Sequence, residues 1–395
     1  MRKYVLSIAL LVMATGAVAQ NKLVKKAQGL IDEGKLEEAQ TLVTEALNSG
    51  ETKDMALAWD VQGDIYQRQF AEELNKAAAH QPMDTAKFAK NLYACVDAYE
   101  KCNEFDEKQA YVAKNKGNLM KFRAFYMYAG QFCFQNQDFV GAYTAYDGWL
   151  NFPQTKKLVA GEPSVLNDST FDKSQVAYYA CLAAYQGKAY DKVDAHIREA
   201  LEYQKEIKNV RQLHLVCLME RGDTAQWVEV SKGYASKDEV VAQNLLAYYS
   251  EKKMTDESLA FADELLAADP NNKIANYSKG VVYFGQEKFA EALPYFEKSI
   301  EVDPDFVDAY YNAGVCCCNE GYGINDAIGK KKLKPAEYNA EIEKVKGWYK
   351  KAEPFFLKVK ELEPENPQRW ASRLKTVYYI TGEKDKEAEM EAFMQ

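Results

Sequence analysis

A proline that returns at a fixed interval constrains this chain more than any other feature. In "LLAADPNN", "SIEVDPDF" and "KELEPENP" the prolines are Pro270, Pro304 and Pro364; the first two stand 34 residues apart, and the third follows after 34 residues plus an insertion of 26. A 34-residue period corresponds to one helix-turn-helix unit, which cannot bury its apolar face alone and must stack on copies of itself. Residues 273 to 306, "KIANYSKGVVYFGQEKFAEALPYFEKSIEVDPDF", are the clearest copy: Gly280 stands at position 8, Tyr283 at 11, Ala292 at 20, Phe296 at 24, Ser299 at 27 and Pro304 at 32. Small residues at 8 and 20 let the two helices approach closely, aromatics at 11 and 24 fill the space between units, and proline stops the second helix.

Other stretches carry the same marks. Trp59, Gly63 and Tyr66 take positions 4, 8 and 11 of a copy whose second helix holds Cys95, Tyr99 and Cys102 at 20, 24 and 27. Tyr126, Gly130, Ala142, Tyr146 and Trp149 take 4, 8, 20, 24 and 27 of the next. Residues 20 to 53, 174 to 206 and 239 to 272 give weaker copies, 207 to 238 a degenerate one, and the charged "KDKEAEMEAFMQ" after Trp370 suits the solvated cap a stack requires.

This pattern closely resembles the tetratricopeptide repeat family. The resemblance implies an all-α, right-handed α-solenoid: about three repeats over residues 20–156, a loop or hinge over 157–173, where Gly161, Pro163, Asn167 and Asp168 gather, and about five repeats plus a cap over 174–395. Two copies are interrupted, near 70–91 and near 321–346. Both inserts are rich in helix formers and predict lengthened helices projecting as hairpins. Lys330, Lys331, Lys332 and Lys334 form a basic tip on the second, a solvated turn or a contact for an acidic partner.

The chain opens with Met1, Arg2 and Lys3, an apolar run and Ala17-Val18-Ala19, the layout of a secretory signal peptide cut after residue 19. No cysteine near the cut could accept a lipid, the first being Cys95, and no later stretch is apolar enough to serve as a transmembrane anchor. The expectation is a soluble exported protein of the bacterial type, periplasmic or associated with the envelope. Its formal charge of −9 argues against nucleic acid as a partner, and 47% hydrophobic residues supply a core.

Three adjacent cysteines, Cys316, Cys317 and Cys318, fall at positions 10, 11 and 12 of the copy that has Gly314 at 8. Successive helical residues point about 100° apart. They cannot converge on one metal, and a bridge between neighbours would strain both helix and disulfide. Packing is expected, with Cys317 in the slot Tyr283 fills one copy earlier and Cys318 toward the concave face. His80, His196 and His214 lack ligand spacing, no catalytic constellation is visible, and neither metal nor cofactor is implied.

Proteins of the resembled family act as scaffolds that hold a peptide or helix in a concave groove made by the first helices. Carried over by position, the groove candidates are Met127, Gln131 and Phe134 in the copy beginning at Arg123, then Ile274, Tyr277, Val281 and Phe284, then Asp308, Tyr311, Val315, Cys318 and Asn319. The lysine and asparagine that clamp a terminal carboxylate in the chaperone-binding subclass are absent, which leaves a groove suited to apolar and aromatic side chains. Tyr277, Phe284 and Tyr311 are the expected aromatic anchors, unless their rings merely cover neighbouring helices. The function these features imply is a non-enzymatic scaffold for a protein or peptide partner in the cell envelope, with binding of glycans or cell-wall fragments as the alternative.

Overall fold

The computed structural model describes residues 20–49, 52–166, 170–330 and 332–394. The expected signal peptide and Lys331 lie outside them. The described residues form helices and turns without a strand, an all-α stack of helical hairpins. The chain divides into two compact units, one ending at Asp223 and the other beginning at Thr224.

The first unit holds α1 (20–32), α2 (Leu36–Asn48), α3 (Met55–Ala78), α4 (Thr85–Phe105), α5 (Val112–Gln135), α6 (Phe139–Thr155), α7 (Pro163–Leu166), α8 (Lys173–Gln186), α9 (Ile197–Ala200) and α10 (Ile207–Glu220). Aspartates set several starts: the side chains of Asp54, Asp84, Asp138 and Asp172 each accept a backbone N–H of the first turn. Long helices pack mainly on their neighbours in sequence. Lys114 of α5 reaches back to α3, where its Nζ lies 2.7 Å from buried Asp60 and 2.8 Å from Asp64.

The insertion near 70–91 lengthens α3 and α4, but it does not stand clear of the stack. Phe70 and Phe88 are buried, with the Phe70 ring 5.2 Å from Phe122 and the Phe88 ring 6.0 Å from Phe132. The reason is that α5 packs along the lengthened helices and offers both rings aromatic partners, Phe122 and Phe125 to Phe70 and Phe132 to Phe88. In the stretch 157–173, expected as a loop or hinge, Leu158, Val159 and Val165 are buried and the Glu100 carboxylate accepts the N–H groups of Lys157 (2.8 Å) and Leu158 (3.1 Å), while Asn167 and Asp168 lie outside the described residues. The Arg123 guanidinium lies 3.9 Å over Trp149 and donates to the Val165 carbonyl.

The second half of the copy over 174–206 also differs from a plain helix. It is a 3-10 stretch, Tyr190–Ala195, followed by the four-residue α9, and the interruption coincides with His196, whose Nε2 lies 2.7 Å from Asp147 on α6. Val193 and Ala200 are still buried.

The second unit runs α11 (Thr224–Ala235), α12 (Glu239–Glu251), α13 (Thr255–Ala268), α14 (Lys273–Gly285), α15 (Phe289–Val302), α16 (Val307–Gly329), α17 (Pro335–Leu362), α18 (Pro367–Thr381) and α19 (Lys384–Glu391). Here the insertion does form a lengthened hairpin, α16 with α17, which buries Ile328 and Val345 while Tyr322 and Tyr338 stay exposed. Only Met390 of α19 is buried, which leaves its charged remainder as the outer face of the stack.

One contact recurs in both units and explains the positions that the sequence keeps small. A β-carbon on Gly63 would meet Tyr99 at 2.4 Å, one on Gly280 would meet Phe296 at 2.6 Å, and one on Gly314 would meet Phe356 at 2.7 Å. The position-24 ring of the second helix therefore lies directly on the position-8 glycine of the first. Gly314 and Phe356 keep this pairing across the insertion of 26. The cysteine run follows from the same register: Cys316 and Cys317 are fully buried, Cys318 is half-buried, and burial pushes each thiol up to about 12. All eight cysteines are free thiols.

Candidate functional site

On α5, Met127, Gln131 and Phe134 are spaced so that they share one face. On α8, Gln175, Tyr179 and Leu182 do the same. The two faces line a cavity of about 540 Å³ whose remaining walls include Tyr146 of α6 and Phe171. Gln175 Nε2 donates to the Tyr179 hydroxyl at 2.7 Å, the Tyr146 and Tyr179 rings lie 5.8 Å apart, and burial pushes the Tyr146 hydroxyl up to about 12. Phe171 stands edge-on to Trp149 at 6.2 Å. Phe134 is braced by Phe139 at 5.3 Å, so the cavity wall is formed by rings already held in place.

A second hollow, about 210 Å³, adjoins the first. Tyr178, Leu182 and Tyr185 of α8 face Asn209, Gln212 and Val216 of α10, and Leu182 lines both hollows. Gln175, Tyr178, Leu182 and Tyr185 are positions 2, 5, 9 and 12 of the copy that has Cys181 at 8. Sequence reasoning omitted them, although the register that placed Met127, Gln131 and Phe134 places them too. In the copy containing Trp59, positions 5 and 9 are Asp60 and Asp64, and the chain's own Lys114 already spans them.

In the second unit most of the assigned positions also make packing contacts. Ile274 and Val315 are buried. Tyr277, expected as an anchor, lies 5.6 Å from Phe296 and 4.7 Å from Phe306, with its hydroxyl accepting from Asn312 at 3.0 Å. Phe284 stands edge-on to Phe289 and Phe296. Tyr311 packs edge-on to Phe356 beneath two guanidinium groups, Arg369 at 5.1 Å and Arg373 at 5.7 Å. Val281 and Cys318 lean on the same core, and Asp308 is paired with Arg369 at 2.6 Å. The three rings are half-buried, and each touches a neighbouring helix. Asn319 lines a hollow, about 680 Å³, together with Phe289 and the inserted Tyr322 and Leu333.

Among the described residues no cluster of histidine, cysteine and carboxylate side chains is placed to hold a metal ion, and no helix is long and apolar enough to cross a membrane.

The tetratricopeptide repeat family model matches residues 274–306. No curated protein matches the sequence. Among solved structures, the C-terminal part of a TPR repeat-containing protein from Cytophaga hutchinsonii is 12% identical, with 68% of this chain and 93% of that one covered and a TM-score of 0.40. The pilF protein of Pseudomonas aeruginosa is 15% identical over 55% of this chain and 88% of its own, at a TM-score of 0.36. A tetratricopeptide repeat protein from Parabacteroides merdae is 13% identical over 75% and 98%, at 0.25.

Proposed function

We propose that this chain is a non-enzymatic interaction scaffold of the cell envelope that holds a segment of a protein partner in the cleft between α5, α6 and α8. The observation that carries the reading is the convergence of Met127, Gln131 and Phe134 with Gln175, Tyr179 and Leu182 on one cavity. Concave apolar hollows with a few fixed polar groups are the usual form of a recognition site. The envelope placement rests on the charged, apolar and small-residue order of residues 1 to 19.

Panning a displayed random-peptide library against the protein tests the cleft. Enriched peptides should lose capture by the double variant Gln131→Glu, Phe134→Ser while its helical circular dichroism is kept. If enriched peptides bind the variant equally well, or if only an oligosaccharide array gives a cleft-dependent signal, the reading is wrong. Mass spectrometry of protein recovered from cells should show residues 1 to 19 removed; an intact Met1 would sink the envelope placement.

A further inference from the structure

Among the described residues, none of the side chains lining the two adjoining hollows of the first unit is Asp, Glu, Lys, Arg or His, in a chain of which 28% is charged. From this we infer that the partner segment is itself uncharged, a peptide with two bulky apolar side chains, one seated in each hollow on either side of Leu182. The inference rests on the cleft reading and adds the chemistry of the occupant.

Complementarity is the first argument. An ionised side chain entering this strip would lose water against walls that carry no charge of their own, the adjacent Glu206 carboxylate being taken by the Asn209 amide at 2.5 Å, so most of its desolvation would go uncompensated. A neutral backbone fares differently. Gln131, Gln135, Gln175, Asn209 and Gln212 each carry an amide that both donates and accepts, which matches the alternating N–H and C=O groups of a peptide. Between them lie Met127, Phe134, Val176, Leu182 and Val216, apolar walls that reward a bulky hydrocarbon side chain in each hollow.

The same geometry disfavours a sugar chain. Stacking on a pyranose needs an open, flat ring face, whereas these tyrosines lean on one another: Tyr146 on Tyr179 at 44°, Tyr178 on Tyr179 at 38° and Tyr178 on Tyr203 at 32°.

The test uses the full chain and fluorescent synthetic peptides, uncharged and carrying two Phe or Leu anchors at a graded series of spacings, beside matched peptides with Asp or Lys between the anchors. Fluorescence polarisation should show at least one uncharged spacing binding about tenfold or more above its charged counterparts. Raising sodium chloride from about 50 to about 500 mM should change its affinity less than about twofold, since no ion pair is screened. Leu182→Asp should abolish binding, and the exposed Gln131→Glu, which leaves the core untouched, guards against a folding artefact by weakening it about tenfold or more. Charged peptides that bind as well or better and remain sensitive to both substitutions would overturn the uncharged partner while leaving the cleft standing. No binding sensitive to either substitution would remove both.

Discussion

The Tyr146 ring lies across Gly130 so closely that a β-carbon on the glycine would stand 2.5 Å from its Cε1, and the same ring lines the cleft. Gly130→Ala must therefore push Tyr146 off the helix and into the hollow. Overpacking of this kind costs about 1 to 3 kcal/mol, so the urea midpoint should fall and peptide capture should weaken together. Gly117→Ala on the same helix is the matched control: nothing lies within 4 Å of the added carbon, and replacing a helical glycine should stabilise by about 0.5 to 1 kcal/mol.

Burial decides the chemistry of the cysteine run. With thiols pushed up to about 12, Cys316, Cys317 and Cys318 carry almost no thiolate near neutrality. A maleimide reagent at pH 7 should leave the first two unmodified in the folded protein and label all three in denaturant, with half-buried Cys318 intermediate. Rapid native labelling of Cys317 would show that the helix register is wrong.

Asp60 gives a pH dependence of definite sign. Burial is the largest influence on its carboxyl and raises it above the ordinary aspartate value, although Lys114 opposes the shift. The folded state thus holds the Asp60 proton more tightly than the unfolded state does, and its contribution to stability is fully present below the ordinary value and lost as pH rises through the raised one. Chemical denaturation from pH 4 to 7 should show the parent losing stability relative to Asp60→Asn as pH rises, then a constant difference. A difference that grows in the parent's favour toward neutrality would mean the Lys114 pairing dominates.

Tyr277 separates packing from recognition in the second unit. Since its ring is wedged between Phe296 and Phe306, Tyr277→Ala should cost about 2 to 4 kcal/mol in a thermal or urea melt. Tyr277→Phe keeps the ring and loses only the Asn312 hydrogen bond, for about 0.5 to 1.5 kcal/mol. A Tyr277→Ala variant as stable as the parent would return the residue to the list of free anchors.

The stack was legible because its determinants are local: Gly280 to Phe296, or Pro270 to Pro304, can be counted along the chain without knowing any other unit. What lay beyond counting depends on partners far away in sequence. Whether Tyr311 faces solvent is settled by Arg369 and Arg373, two helices later, and whether position 5 at Asp60 is open is settled by Lys114. The broken second helix over 190–200 keeps the spacing of Val193 and Ala200, so periodicity alone could not reveal it. The cleft was half visible, through Met127, Gln131 and Phe134, while its opposite wall on α8 needed only the same register applied once more.

The insertion near 321–346 leaves Phe356 seated on Gly314 at the same two positions that Phe296 and Gly280 hold in a copy without one. A hairpin that grows outward from a unit without shifting that seat is a detachable limb: its length is set by the exposed flank carrying Tyr322 and Tyr338, while the joint that holds the unit together is the glycine and phenylalanine beneath.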